Sequence, residues 1–262
     1  MIIGEIMSKG PVCVKKDDYV THARQLMRDH FLKGLPVVDD KNRVVGMLTD
    51  QDVLEVKSNK SNVTVGGFAR EFPIVTPDTE MLKAASLLLE AEQYRVPVIA
   101  STTDKSLLGI LSVIDILRHI HPTRKSPETV GEIMSQNVRT VNPDDSIAMV
   151  WENMLKWDYT GLPVVSLKKE VLGMVTRHDI IKSGFARIGD MHGNGSGDVS
   201  NVEKVMSTPL YYVSPQTSIT KAIELILHYD VGRICVMDEN KLVGIVGTND
   251  LLKACIVGTG LE

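Results

Sequence analysis

Cysteine is scarce in this sequence. The three present among 262 residues (Cys13, Cys235 and Cys255) are odd in number, far apart and without C-x-x-C spacing, which excludes a disulfide framework and fits reduced, buried thiols. Aromatic residues make up only 5%, and neither Trp151 nor Trp157 sits in a basic aromatic stripe of the kind that stacks single-stranded nucleic acid. Positive charge is not in excess. Lys+Arg number 29 against 33 Asp+Glu, a net charge of -4, so no global cationic field attracts nucleic acid or anionic lipid. Long apolar runs are missing too. The longest nearly apolar stretch, Leu107 to Leu117, contains Asp115 and falls short of the roughly 20 residues that span a bilayer. Gly4 and Glu5 interrupt the N-terminus before an apolar targeting segment forms. What remains is an ordinary globular composition, 43% hydrophobic and 24% charged. Its expected location is the cytoplasm, and its length suits two domains of roughly 100 to 200 residues each.

The sequence repeats itself. Residues 4–52 lie over 131–179 at an offset of 127 without a gap, with 20 of 49 positions identical. GEIMS at 4–8 recurs at 131–135, GLPVV at 34–38 recurs at 161–165, and VVGMLTDQD at 44–52 becomes VLGMVTRHD at 171–179. Two weaker copies interleave, one through RVPVI (95–99) and LLGILSVID (107–115), the other through EKVMS (203–207), GRICV (232–236) and LVGIVGTND (242–250). Gly46, Gly109, Gly173 and Gly244 are spaced by 63, 64 and 71 residues. Units of about sixty residues hide their apolar faces poorly alone, so they are expected to pair. The offset makes the pair the larger unit, giving domains at 1–122 and 127–257, with repeats at about 3–58, 63–120, 130–185 and 200–255. Between the domains, HPTRKSPET (121–129) has linker composition. GDMHGNGSGD (189–198) reads as a long flexible loop.

Each unit has one grammar. Asp17 and Asp18 precede Val20, Ala23, Met27 and Phe31 at helical spacing, predicting a helix with an acidic cap and these four residues on its apolar face. Two β-rich segments, 35–39 and 43–49, follow around a polar turn, and a second helix starts near Asp50. The order is strand, helix, strand, strand, helix.

The I-M-S start (Ile6 to Ser8, Ile133 to Ser135), the L-P-V-V strand and the G-x-x-[ST]-x-x-D segment together resemble the cystathionine-β-synthase (CBS) domain, whose repeats pair as Bateman modules. The resemblance implies an α+β fold of four βαββα CBS repeats in two Bateman modules. It implies sheet-against-sheet pairing with two clefts per pair, which in many members are adenosyl-ligand sites. It also places an adenine ring beside the segments after I-M-S, residues 9–12 and 136–138. AMP, ADP, ATP or S-adenosylmethionine is the regulatory ligand so implied.

Local chemistry supports a site without the family. Thr49 with Asp52, Ser112 with Asp115, and Thr176 with Asp179 stand three apart where a strand ends and a helix begins. Free amides and a hydroxyl there suit a phosphate, and the carboxylate suits a ribose diol. The same spacing is a helix capping box, although Asp reaches back less readily than the preferred Glu or Gln. The fourth copy has Gly247 at the hydroxyl position, leaving Asp250 alone. Arg177 and His178 add donors beside the third site, whereas Asp50 in the first repels polyphosphate and leaves room for S-adenosylmethionine. Arg95 and Arg233 precede the central strands of the even repeats, as phosphate contacts across the pair or as solvated charges.

GNGSG at 193–197 lacks the strand and the lysine of a phosphate loop, His119 and His121 have no companion metal ligands, and no G-x-S-x-G or H-E-x-x-H occurs. No enzyme is expected. Two functions remain open: a regulatory sensor that binds an adenosyl small molecule and passes occupancy to a regulated protein, as a monomer or homodimer, or a constitutive scaffold with vestigial clefts. Neither membranes nor nucleic acid are expected partners.

Overall fold

The computed structural model describes residues 1–56, 62–184 and 201–260; the glycine-rich stretch 189–198 lies outside them. The first repeat runs α1 (Ile3–Ile6), β1 (Ser8–Lys9), β2 (Val14–Lys15), α2 (Val20–Asp29), β3 (Gly34–Val38), β4 (Val44–Thr49) and α3 (Asp50–Glu55). The second has α4 (Met81–Glu90), β5 (Arg95–Ile99), β6 (Leu107–Ser112) and α5 (Val113–Leu117), and the third has α6 (Ile147–Trp157), β7 (Gly161–Val165), β8 (Val171–Thr176) and α7 (Arg177–Lys182). The fourth comprises β9 (Tyr212–Val213), α8 (Ile219–Tyr229), β10 (Arg233–Asp238), β11 (Lys241–Gly247) and α9 (Thr248–Ile256). The βαββα order is complete in the first and fourth repeats. In the other two the leading strand shrinks to one parallel bridge, Val75 to Val98 and Val141 to Val164. No helix among the described residues is long and apolar enough to cross a membrane.

Each repeat is finished by its neighbour. Ser8 and Lys9 add to β6 of the second repeat, while Arg70 bridges back to Met47 on β4; Ser135 bridges to Ile245 on β11 and Ser207 to Met174 on β8. This reciprocal exchange explains the recurrent glycine. A Cβ on Gly46 would lie 2.7 Å from the Ala69 Cβ, one on Gly109 2.8 Å from the Ser8 carbonyl, and one on Gly173 2.6 Å from the Ser207 carbonyl. Only hydrogen lets the neighbour's backbone approach so closely.

The helices build the core differently from the pairing of the sheets. One apolar cluster joins the first repeat to the third through Val20, Met27 and Leu54 with Trp151, Met154 and Ile181. The other joins the second to the fourth through Leu88, Ile116 and Leu117 with Ile226, Leu251 and Leu252. The two pairs therefore share their helical core. Two local expectations change. Helix α2 is capped by Tyr19 with no side-chain hydrogen bond, because Asp18 instead closes the preceding turn by accepting from the Lys15 amide at 2.8 Å. Phe31 is not on the apolar face: α2 ends at Asp29 and Phe31, beyond its end, is 62% exposed.

Candidate functional site

A cavity of about 850 Å³ opens where the four repeats meet, within the size range of small-molecule sites, roughly 300 to 1,000 Å³. Every repeat contributes to its wall. Its centre is cationic. Lys33, just before β3, and Arg95 and Arg233, at the starts of β5 and β10, all line it. The Arg95 Cδ lies 3.2 Å from where a Gly34 Cβ would stand, and the Lys33 ammonium lies 3.6 Å from the corresponding point on Gly232. Arg233 donates to the Gly161 carbonyl at 3.2 Å. The glycines thus leave room for cations reaching over from other repeats.

These charges are poorly compensated. Burial holds the Lys33 pKa below its usual value, and Arg95 and Arg233 add to the effect while Asp50 and Asp230 oppose it. Burial likewise lowers Arg95 and Arg233. None of the three forms an ion pair with a described residue. Asp50 also faces the cavity, its pKa raised by burial and pulled back by Arg177, Arg95 and Lys33. The lining carries six Lys and Arg side chains (Lys9, Lys33, Arg95, Arg118, Lys182 and Arg233) against four carboxylates (Asp50, Asp115, Asp179 and Asp230), an excess that suits an anion.

Two of the lining carboxylates, Asp115 and Asp179, belong to the expected capping segments. Asp115 and Ser112 line the cavity with Ser8 to Val12 of the first repeat, and Asp179 and Thr176 line it with Ser207 and Pro209 to Tyr211 of the fourth. The capping box forms at both. Asp179 Oδ2 accepts from the Thr176 amide at 2.8 Å and its hydroxyl at 2.6 Å, and Asp115 Oδ2 accepts likewise from Ser112 at 2.8 and 2.6 Å. Asp therefore reaches back fully, and the hydroxyls expected for phosphate donate to their own carboxylate instead. Capping uses Oδ2 alone. Asp179 Oδ1 accepts from the Ser207 hydroxyl at 3.0 Å and Asp115 Oδ1 from Arg118 at 3.3 Å, partners that a ligand hydroxyl can replace.

The remaining candidates lie elsewhere. Asp52 caps from Thr49 in the same way, but its Oδ1 is taken by Arg70 at 2.6 Å and it does not line the cavity. Asp250 accepts from the Gly247 amide at 2.8 Å, carries a pKa raised by burial, and is also outside the lining. Of the two expected adenine segments, 9–12 lines the cavity and 136–138 does not. Arg177 is turned away. Its side chain, 3% exposed, donates to Asp158 at 3.0 Å, Gln51 at 3.1 Å and the Met154 carbonyl at 3.3 Å, and lies 3.6 Å from Asp50. It binds the third repeat to the first rather than facing a phosphate. His178 does line the cavity, its pKa lowered by burial and then by Lys33, with a buried Nδ1 that has no partner among the described residues. Lys33, Arg70 and Asp230 were not singled out by sequence. Aligning the residues before each central strand, where Lys33 stands one place ahead of the position of Arg95 and Arg233, would have found the first.

The comparisons with known proteins agree with this architecture. The CBS domain family matches at residues 3–59, 65–122, 130–185 and 202–257. The uncharacterized protein MJ1404 of Methanocaldococcus jannaschii is 28% identical over 260 residues, 96% of this chain and 61% of that relative, so the chain spans less than two thirds of its length. Hypoxic response protein 1 of Mycobacterium tuberculosis is 33% identical over 121 residues, 44% of this chain and 82% of that protein. Protein MJ1225 of Methanocaldococcus jannaschii superposes with a TM-score of 0.81 at 20% identity, covering 97% of this chain and 99% of that one. An uncharacterized conserved protein from Pyrococcus horikoshii gives 0.65 at 22% identity, over 97% and 100% of the two chains. These two likenesses concern the fold.

Proposed function

The chain belongs to the CBS-domain family, and from that premise we propose that it is a non-catalytic regulatory sensor of adenine nucleotides. One observation carries the reading: Lys33, Arg95 and Arg233, without ion-pair partners among the described residues, line a cavity together with Asp115 and Asp179. Each carboxylate accepts from a ribose diol and the shared cations take the phosphates. The cations favour AMP, ADP or ATP over S-adenosylmethionine, whose sulfonium carries the wrong sign for the centre. Because all four repeats line one cavity, occupancy acts on the contact between the two pairs, and that contact is the element through which a regulated partner is informed.

Two ligands per chain are expected, since Arg70 closes the Asp52 cleft and Asp250 lies outside the cavity. Calorimetric titration tests this. Binding of ADP at two sites, with affinity falling as salt rises, supports the reading; absence of heat and of competition with every adenosyl compound sinks it in favour of a scaffold.

A further inference from the structure

Phe31 occupies a position that folding alone does not explain. It sits in the left-handed region at φ 56°, as do its counterparts Glu92 (φ 52°), Asp158 (φ 54°) and Asp230 (φ 51°) after the corresponding helices. Asp tolerates that conformation through local hydrogen bonding, whereas a bulky aromatic residue there is strained. Burial does not compensate, because the residue is 62% exposed. The ring instead lines the central cavity and reaches across to the third repeat. Its centroid is 6.2 Å from the His178 ring and 5.3 Å from the Lys182 ammonium, residues that flank Asp179 on α7. In the fourth repeat the counterpart is Asp230, which also lines the cavity.

We propose that Phe31 is a specificity-determining residue for the nucleotide held at Asp179, forming the wall that the first pair of repeats contributes to a site in the second. This rests on the proposed nucleotide reading and deepens it. The ring covers the nucleoside while the cations hold the phosphates. Retained strain on an exposed aromatic that faces a cavity is the signature of such a role. The counterpart positions then differ: an apolar ring beside α7 from the first repeat, and a carboxylate, Asp230, from the fourth. The nucleoside is thereby gripped from both pairs of repeats, so its binding reads their relative position.

The test uses Phe31→Gly and Phe31→Asn, both suited to a positive φ and both neutral. Calorimetry is run with ADP and with inorganic tripolyphosphate, which reports on the cations alone, beside melting temperatures without ligand. The expected result is an unchanged or higher melting temperature, ADP affinity at the Asp179 site weakened about tenfold, and unaltered tripolyphosphate affinity. In an Asp179→Ala background, which leaves the Asp115 site, the Phe31 variants bind ADP as their parent does. Unchanged ADP affinity in the single variants overturns the proposal. So does a lowered melting temperature with equal losses for ADP and tripolyphosphate, which marks a merely structural role. A wild-type protein that binds tripolyphosphate but no adenine nucleotide overturns the nucleotide reading itself, and the proposal with it.

Discussion

Truncation of Arg177 separates a phosphate ligand from a bond between repeats. The guanidinium is buried among Asp158, Gln51, the Met154 carbonyl and Asp50. Arg177→Ala leaves Asp50, 13% exposed, without its buried partner, and breaking such a pair costs roughly 3 to 5 kcal/mol. Two features place this case at the lower end. Lys33 and Arg95 still act on Asp50, and Asp158, 77% exposed, rehydrates at little cost. A loss of about 3 kcal/mol corresponds to a fall in Tm of roughly 6 to 12 °C for a chain of this size. Differential scanning fluorimetry with and without ADP is the assay. The stabilisation by ADP persists, because Arg177 is outside the cavity lining. Adding Asp50→Asn to Arg177→Ala recovers part of the loss, since it removes the stranded charge. An unchanged apo Tm with abolished stabilisation by ADP would refute this reasoning and restore Arg177 as a phosphate ligand.

Asp179→Ala lowers nucleotide affinity by about 1.5 to 3 kcal/mol for a lost charge-assisted bond and lowers stability by about 1 kcal/mol for the lost cap; calorimetry and melting curves read the two effects separately. His178, with its pKa depressed from the usual 6.5, contributes stability that is present above pH 6.5 and lost as the pH falls through its lower folded value. His178→Gln should remove that part of the acid sensitivity in apo melting curves, and an identical pH profile would count against it. Gly173→Ala places a Cβ 2.6 Å from the Ser207 carbonyl and costs about 1 to 3 kcal/mol through overpacking, while Gly67→Ala, with nothing within 4 Å of the added Cβ, is expected to be much milder; denaturant titration compares them.

The repeats were plain in the sequence because the GLPVV strands, the glycines and the T-x-x-D segments obey local rules of pairing and capping. Gly46, Gly109 and Gly173 marked the repeats by their spacing, but that the neighbouring repeat's chain approaches closely there was visible only in the structure. The fate of each site depended on contacts between distant segments. Thr176 to Asp179 and Thr49 to Asp52 share a motif, yet Arg70 closes one and the other faces the cavity. Arg177 looked like a phosphate donor because nothing in linear sequence puts Asp50 and Gln51 beside it. Phe31 satisfied helical spacing with Val20, Ala23 and Met27, but α2 ends two residues earlier. Lys33 escaped notice because its meaning comes from two arginines reaching toward the same space from other repeats.

The central claim is that one cationic centre serves nucleotides held at Asp115 and Asp179. A crystal structure of the protein grown with ADP tests it most directly. The account predicts ribose hydroxyls on Asp115 and Asp179 with phosphates within hydrogen-bond reach of Lys33, Arg95 and Arg233. Nucleotide bound at Asp52 or Asp250 instead, or phosphates pointing away from those three cations, would contradict it.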